Sequence, residues 1–129
     1  MRVQFNTDGG HVPGLRRRLD IDTDKRTITI GIADRIIGTD EVPVEESDEL
    51  ERLMKGADFF ELPATSPPPP GAADYQSYTI SATTPSHSYE VRLTDPIENP
   101  RVRELVNYLN HRWMKMIDAR LASRRRDTS

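Results

Sequence analysis

The side chains that could hold a metal ion or act as a nucleophile are few and scattered in this sequence. The three histidines, His11, His87 and His111, fall in a predicted turn, a predicted hairpin and a predicted helix. None of them shows the i, i+4 pairing of a zinc-binding helix. The sequence has no cysteine, which excludes a catalytic thiol and any zinc site built on thiolates. We therefore expect neither a metal ion nor a cofactor.

An acidic run, Asp20, Asp22 and Asp24, has the spacing of the first three ligands of a calcium-binding loop. Lys25 stands where such a loop requires a glycine, and Gly31 stands where it requires a bidentate glutamate. We interpret the run as the solvated face of a strand. The sequence also has no nucleophile between glycines at a strand-to-helix turn and no glycine-rich phosphate loop. These absences predict a protein that is not an enzyme.

The charge of the chain argues against a nucleic-acid partner. A formal net charge of −3 at pH 7 repels a phosphate backbone over most of the surface. The exceptions are Arg16 and Arg18 near the second strand, and Arg120 with residues 124–126 near the carboxy terminus. Positive charge at a helix C-terminus has a structural explanation in the helix dipole, and aromatic residues do not alternate with these arginines. Nucleic-acid binding is kept only as an alternative.

The length of 129 residues suits one domain with a single core. We predict that this domain covers residues 1–121 and that residues 122–129 form a basic, flexible tail. Residues 1–6 lack the apolar stretch of a secretory signal, and no window approaches the ~18 apolar residues of a membrane span. With no cysteine in the chain, these features predict a cytoplasmic monomer without membrane contact.

Alternation of apolar and polar residues predicts short strands separated by turns. Val3 and Phe5 alternate with polar residues, and Asp8-Gly9-Gly10 supplies a turn after them. Arg17 interrupts the apolar face of the second strand, which a strand edge or a bulge could accommodate. Residues 33–44 have no regular period and are predicted to form an apolar loop. Strands are predicted near residues 2–6, 15–22, 27–32, 75–82 and 88–94.

Two segments have apolar residues at helical spacing. The first predicted helix runs from Glu45 to about Gly56 and has an acidic first turn, which suits the helix dipole. The second is long and starts with Asn99 as its cap and Pro100 as its first residue. These elements predict an α+β fold: a single antiparallel sheet of about four to five strands, packed against one long C-terminal helix and one shorter helix.

Three segments together resemble emfourin, the proteinaceous inhibitor of protealysin-like M4 metalloproteases. The first is the glycine-pair turn after the opening strand, within residues 8–15. The second, which is the most specific, is residues 42–53 running into 56–63. The third is the proline-rich crossover at residues 67–74.

The resemblance implies a protein that blocks the cleft of an M4 zinc metalloprotease with an apolar loop. Val42 would enter the pocket for bulky apolar side chains, Pro43 would fix its direction, and the glycine-pair turn would form a second contact. His11, where the family has an aromatic residue, and the long segment 25–40 leave open a noninhibitory interaction module of the same fold. The implied protease-binding residues are Gly9, Gly10, His11, Val12, Ile36, Ile37, Val42 and Pro43.

Overall fold

The computed structural model describes residues 1–8, 16–64, 76–94 and 97–127. The strands are β1 (Arg2–Asp8), β2 (Arg17–Asp22), β3 (Thr27–Ile32), β4 (Arg35–Glu41), β5 (Ser77–Thr83) and β6 (Ser88–Thr94). The helices are α1 (Val44–Gly56), a 3-10 turn at Phe59–Glu61, and α2 (Pro100–Asp127). All strand pairs are antiparallel, in the order β4-β3-β2-β1-β5-β6. The predicted α+β class is confirmed, with six strands in place of four to five.

The core lies between one face of the sheet and the two helices. Inward-facing residues of the strands, such as Phe5, Ile30 and Ile80, form one buried cluster with helix residues such as Leu50 and Leu109. The opposite face is polar, as the period-2 alternation of the strands dictates. Arg2 on that face donates from Nη2 to Oδ2 of Asp20 at 2.6 Å. The sheet therefore has one face for packing and one for solvent.

The helix α2 begins as the sequence predicts, since Asn99 Oδ1 accepts the backbone N–H of Arg101 at 3.0 Å and Pro100 is the first helical residue. The helix then crosses the sheet obliquely from β2 to β4. Asn110 contacts Arg17 of β2, Trp113 contacts Gly31 of β3, and Arg120 contacts Thr39 of β4.

The far end of α2 differs from the prediction. The helix continues to Asp127, so most of the segment predicted as a flexible tail is helical. Because β4 is the outermost strand, a helix that has crossed it runs on beyond the edge of the sheet. None of the described helices is both long and apolar enough to pass through a lipid bilayer.

The sequence predicts a loop at residues 33–44, but the structure has a turn followed by β4 there. The register with β3 shifts between Ile30 and Gly31, so that Ile30 pairs with Gly38 and Gly31 with Ile36. Ile37 is thereby left over as a β-bulge. The bulge breaks the alternation of apolar and polar residues that predicts a strand, so the sequence pattern of this segment is irregular.

Candidate functional site

Val42 is part of the core, which contradicts the expectation that its side chain enters a pocket of a protease. Its side chain is only 5% exposed. Its backbone N–H donates to Arg26 O at 2.8 Å, which extends the β3–β4 pairing past the last residue of β4. This pairing turns the valine inward, onto the cluster beneath α1. A side chain in this position cannot enter a pocket of another protein.

Pro43 and Val44 form the exposed surface at this end of β4. Pro43 stands before the first residue of α1, and its carbonyl accepts N–H bonds from Glu46 and Ser47, both at 3.1 Å. The proline thus directs the start of the helix. Val44 is 47% exposed and is the apolar residue that this end offers to solvent. The sequence pattern does not indicate this residue, because it predicts that Val44 belongs to the loop before the helix, whereas Val44 is the first residue of α1.

Ile36 is the most exposed large hydrophobic side chain in the described part of the chain, at 69%. It stands just after the turn of the β3–β4 hairpin, where Ala33 has a φ of 54°. Ile37, next to it, is half-buried and packs against the core. Of the two isoleucines predicted to face a partner, Ile36 is therefore the one that is available.

The β3–β4 hairpin is braced in two ways: its two strands pack closely at Gly31, and α2 packs against it. A Cβ added to Gly31 would lie 2.7 Å from the backbone oxygen of Arg35, so the strands approach there at a distance only glycine permits. Trp113 donates from Nε1 to Gly31 O at 3.3 Å. The guanidinium of Arg17 lies over the Trp113 ring at 5.1 Å and donates to Asn110 Oδ1 at 2.9 Å. These contacts explain an arginine on the packed face of β2 and hold the hairpin to the helix.

The predicted site divides between the two ends of the sheet. Ile36 and Val42 are separated by six steps along extended chain, or about 20 Å. Gly9, Gly10, His11 and Val12 lie outside the described residues. The strands that flank them end beside the β3–β4 turn, since Arg17 pairs with Ile32.

A backbone bond links this end further: Ala33 donates its N–H to Arg16 O at 2.7 Å. The strand ends of the β1–β2 hairpin therefore lie beside Ile36 and far from Val42. We call the end of the sheet that holds Arg16, Ala33 and Ile36 the hairpin end. Of the eight predicted residues, Val42 and Pro43 lie at the opposite end.

The acidic run that mimics a calcium loop has structural partners. Asp22 Oδ1 accepts the backbone N–H groups of Lys25 and Asp24, both at 3.0 Å. The bond from Lys25 lowers the pKa of Asp22. Asp24 pairs with the amino terminus at 2.7 Å. Across the described ranges, no three metal-ligating side chains are grouped closely enough to hold an ion.

A second polar cluster joins the two helices. Glu46 on α1 accepts from Arg112 Nε at 3.0 Å and lies 3.8 Å from Lys115 Nζ. Tyr108 donates its hydroxyl to Glu46 O at 3.3 Å, and burial raises the pKa of this tyrosine. These groups satisfy one another, so the cluster acts as a polar clasp between α1 and α2.

Comparison with known proteins adds one finding. The emfourin family model matches residues 28–110, which is more than half of the chain. The match spans β3, the braced hairpin, α1, the hairpin of β5 and β6, and the first part of α2. The segments 42–63 and 67–74 lie inside it, and the segment 8–15 lies outside. A search of curated proteins found no match.

Proposed function

The chain belongs to the emfourin family, which implies a protease-inhibitor role, and from that premise we propose that it blocks the substrate cleft of a protealysin-like M4 zinc metalloprotease with Ile36. The observation that carries the proposal is the exposure of Ile36 on a braced hairpin. Hydration of an exposed aliphatic side chain is unfavourable, and the free protein regains this free energy when the side chain enters an apolar pocket.

The chemistry of the partner suits such a residue. A thermolysin-like protease binds a bulky apolar side chain beside its catalytic zinc, so a branched aliphatic residue in that pocket excludes the substrate sterically. No metal ligand from the inhibitor is required. The contacts of Gly31 and Trp113 hold the hairpin in one conformation, which lowers the entropic cost of docking.

In this proposal the hairpin end of the sheet replaces the Val42 segment as the inhibitory surface. Gly9, Gly10, His11 and Val12 belong to the connection between β1 and β2, whose flanking strands end beside Ile36. We propose that this connection supplies the second contact with the protease. We also propose that the inhibitor acts as a monomer in the cytoplasm, where a cysteine-free fold has no need of an oxidising compartment.

The test is a titration of a protealysin-like enzyme with the full chain, with hydrolysis of a short peptide substrate as the readout. We expect activity to fall to near zero as the protein exceeds the enzyme, and the inhibition to weaken as substrate is raised. Undiminished hydrolysis at a large excess of protein would refute the proposal and leave the noninhibitory interaction module as the better interpretation.

A further inference from the structure

A groove lies between β4 and the last turns of α2, at the outer edge of the sheet. Its cavity volume is about 910 Å³, which is in the range of pockets that bind ligands or partner side chains. Apolar side chains from these two elements and from the end of β3 line it. These are Ile32, Ile36, Ile37, Met116, Ile117 and Leu121.

The groove brings together two exposed hydrophobic residues from distant parts of the sequence. Ile36 and Leu121 are two of the four exposed large hydrophobic residues in the described ranges, and Leu121 is 48% exposed. Leu121 directly follows Arg120, whose guanidinium donates to Thr39 O, so it lies at the outer edge of the sheet beside β4. The groove is therefore continuous with the surface proposed to enter the protease cleft.

Main-chain pairing with an added strand is obstructed along the second half of β4. Thr39 O already accepts from Arg120 Nη2 at 3.2 Å, and the Glu41 N–H donates to Asp40 Oδ1 at 2.8 Å. The bulge at Ile37 further distorts the edge. An occupant that lies along this half of β4 must therefore bind through its side chains.

The charges of the groove select the kind of side chain. Arg35 and Arg120 border it together with one acid, Asp40, so two positive charges and one negative charge lie in its lining, and Arg120 also donates to Thr39 O. In a chain with a net charge of −3, this is a locally cationic rim around an apolar floor. The complementary partner presents an apolar side chain flanked by carboxylates.

We infer that the β4–α2 groove is a second binding site for the target protease, taking a surface segment with an apolar residue between acidic ones, outside the catalytic cleft. The inference rests on the proposed inhibitory function and adds to it a contact that does not block the cleft. Loss of this site raises the inhibition constant and leaves the competitive mode unchanged, because Ile36 still excludes the substrate.

The experiment measures the inhibition constant of the full chain against a protealysin-like enzyme for two groove variants and two controls. Leu121→Ser removes the apolar wall, and Arg35→Glu reverses the rim charge. Met114→Ser is the matched control for the first, because Met114 is 39% exposed on α2 and is not part of the groove lining. Arg92→Glu on the opposite edge strand is the control for the second.

We expect Leu121→Ser and Arg35→Glu each to raise the inhibition constant at least about fivefold, and the controls to leave it within about twofold. The loss for Arg35→Glu should shrink as salt is raised. Equal inhibition by all four variants and the parent chain would refute the groove as a second binding site and would leave the proposed inhibitory function unaffected. A parent chain that does not inhibit at all would overturn both. Unfolding midpoints confirm that each variant is folded.

Discussion

Val42→Ala should lower the free energy of unfolding, whereas Ile36→Ala should weaken inhibition and leave the free energy of unfolding nearly unchanged. Val42 is 5% exposed within the core cluster, so Val42→Ala removes apolar volume equivalent to about two methylene groups, or about 1.6 kcal/mol of burial, before any cavity term. With incomplete relaxation around the void, the expected loss is about 2 kcal/mol. Ile36 is 69% exposed, so Ile36→Ala should change the free energy of unfolding by about 0.5 kcal/mol or less.

Urea denaturation monitored by tryptophan fluorescence measures both effects. Trp113 is the one tryptophan in the sequence, and its buried indole bonds to Gly31 O, so its emission reports on the packing of α2 against the hairpin. With a slope of about 1.5 kcal/mol per molar urea, Val42→Ala should lower the midpoint by roughly 1.3 M. Ile36→Ala should shift it by no more than about 0.3 M.

The opposite order of midpoints would refute the reasoning. If Val42→Ala unfolded at the same urea concentration as the parent chain, Val42 would not be a core residue, and its side chain would be available to a protease pocket. If Ile36→Ala cost as much as a core substitution, Ile36 would be needed for folding and would not be available to a partner.

Three further substitutions test the packing at Gly31 and the pKa shifts of Asp22 and Tyr108. Gly31→Ala places a Cβ 2.7 Å from Arg35 O, so it should cost about 1–3 kcal/mol and weaken inhibition together with stability; unchanged values of both would contradict the close approach. The backbone bond from Lys25 lowers the pKa of Asp22 in the folded state, so its stabilisation is present at neutral pH and is lost as pH falls; Asp22→Asn should lower the urea midpoint more at about pH 7 than at about pH 3. Burial raises the pKa of Tyr108 above its ordinary value of 10.0, so the stabilisation is complete below that pH and is lost as pH rises; Tyr108→Phe should lose less stability than the parent chain between about pH 9 and about pH 11.

Elements specified by local chemistry could be predicted from the sequence. The start of α2 follows from Asn99 and Pro100, whose capping roles depend only on the neighbouring backbone. The strand at Thr27–Ile32 follows from its β-branched alternation. In both cases the residues that decide the structure are within a few positions of one another.

The misassigned segment depends on long-range contacts that no local pattern contains. Gly38 interrupts the apolar period of β4, yet a Cβ there would lie 2.0 Å from Arg120 Cζ, so the glycine leaves room for a side chain 82 positions away. Arg17 on a packed face is likewise explained by Trp113 and Asn110 of α2. Because the local pattern does not predict β4, it also does not predict that the pairing of Val42 with Arg26 turns the valine inward.

One signal in the sequence could have identified both β4 and the groove. The apolar positions of α2 from Val102 to Leu121 span about 29 Å at 1.5 Å per residue. A sheet of four or five strands is only about 14–19 Å wide between its outer strands. The excess length of the apolar stripe indicates a wider sheet, an oblique crossing or an overhanging helix, and the structure has all three.

The most direct test of the account compares the inhibition constants of Ile36→Ala and Val44→Ala against one protealysin-like enzyme. Both substitutions shorten an exposed aliphatic residue, and they lie at opposite ends of β4. The account predicts that Ile36→Ala weakens inhibition at least about tenfold and that Val44→Ala leaves it within about twofold. Strong loss for Val44→Ala with full inhibition by Ile36→Ala would contradict it and move the inhibitory surface to the start of α1.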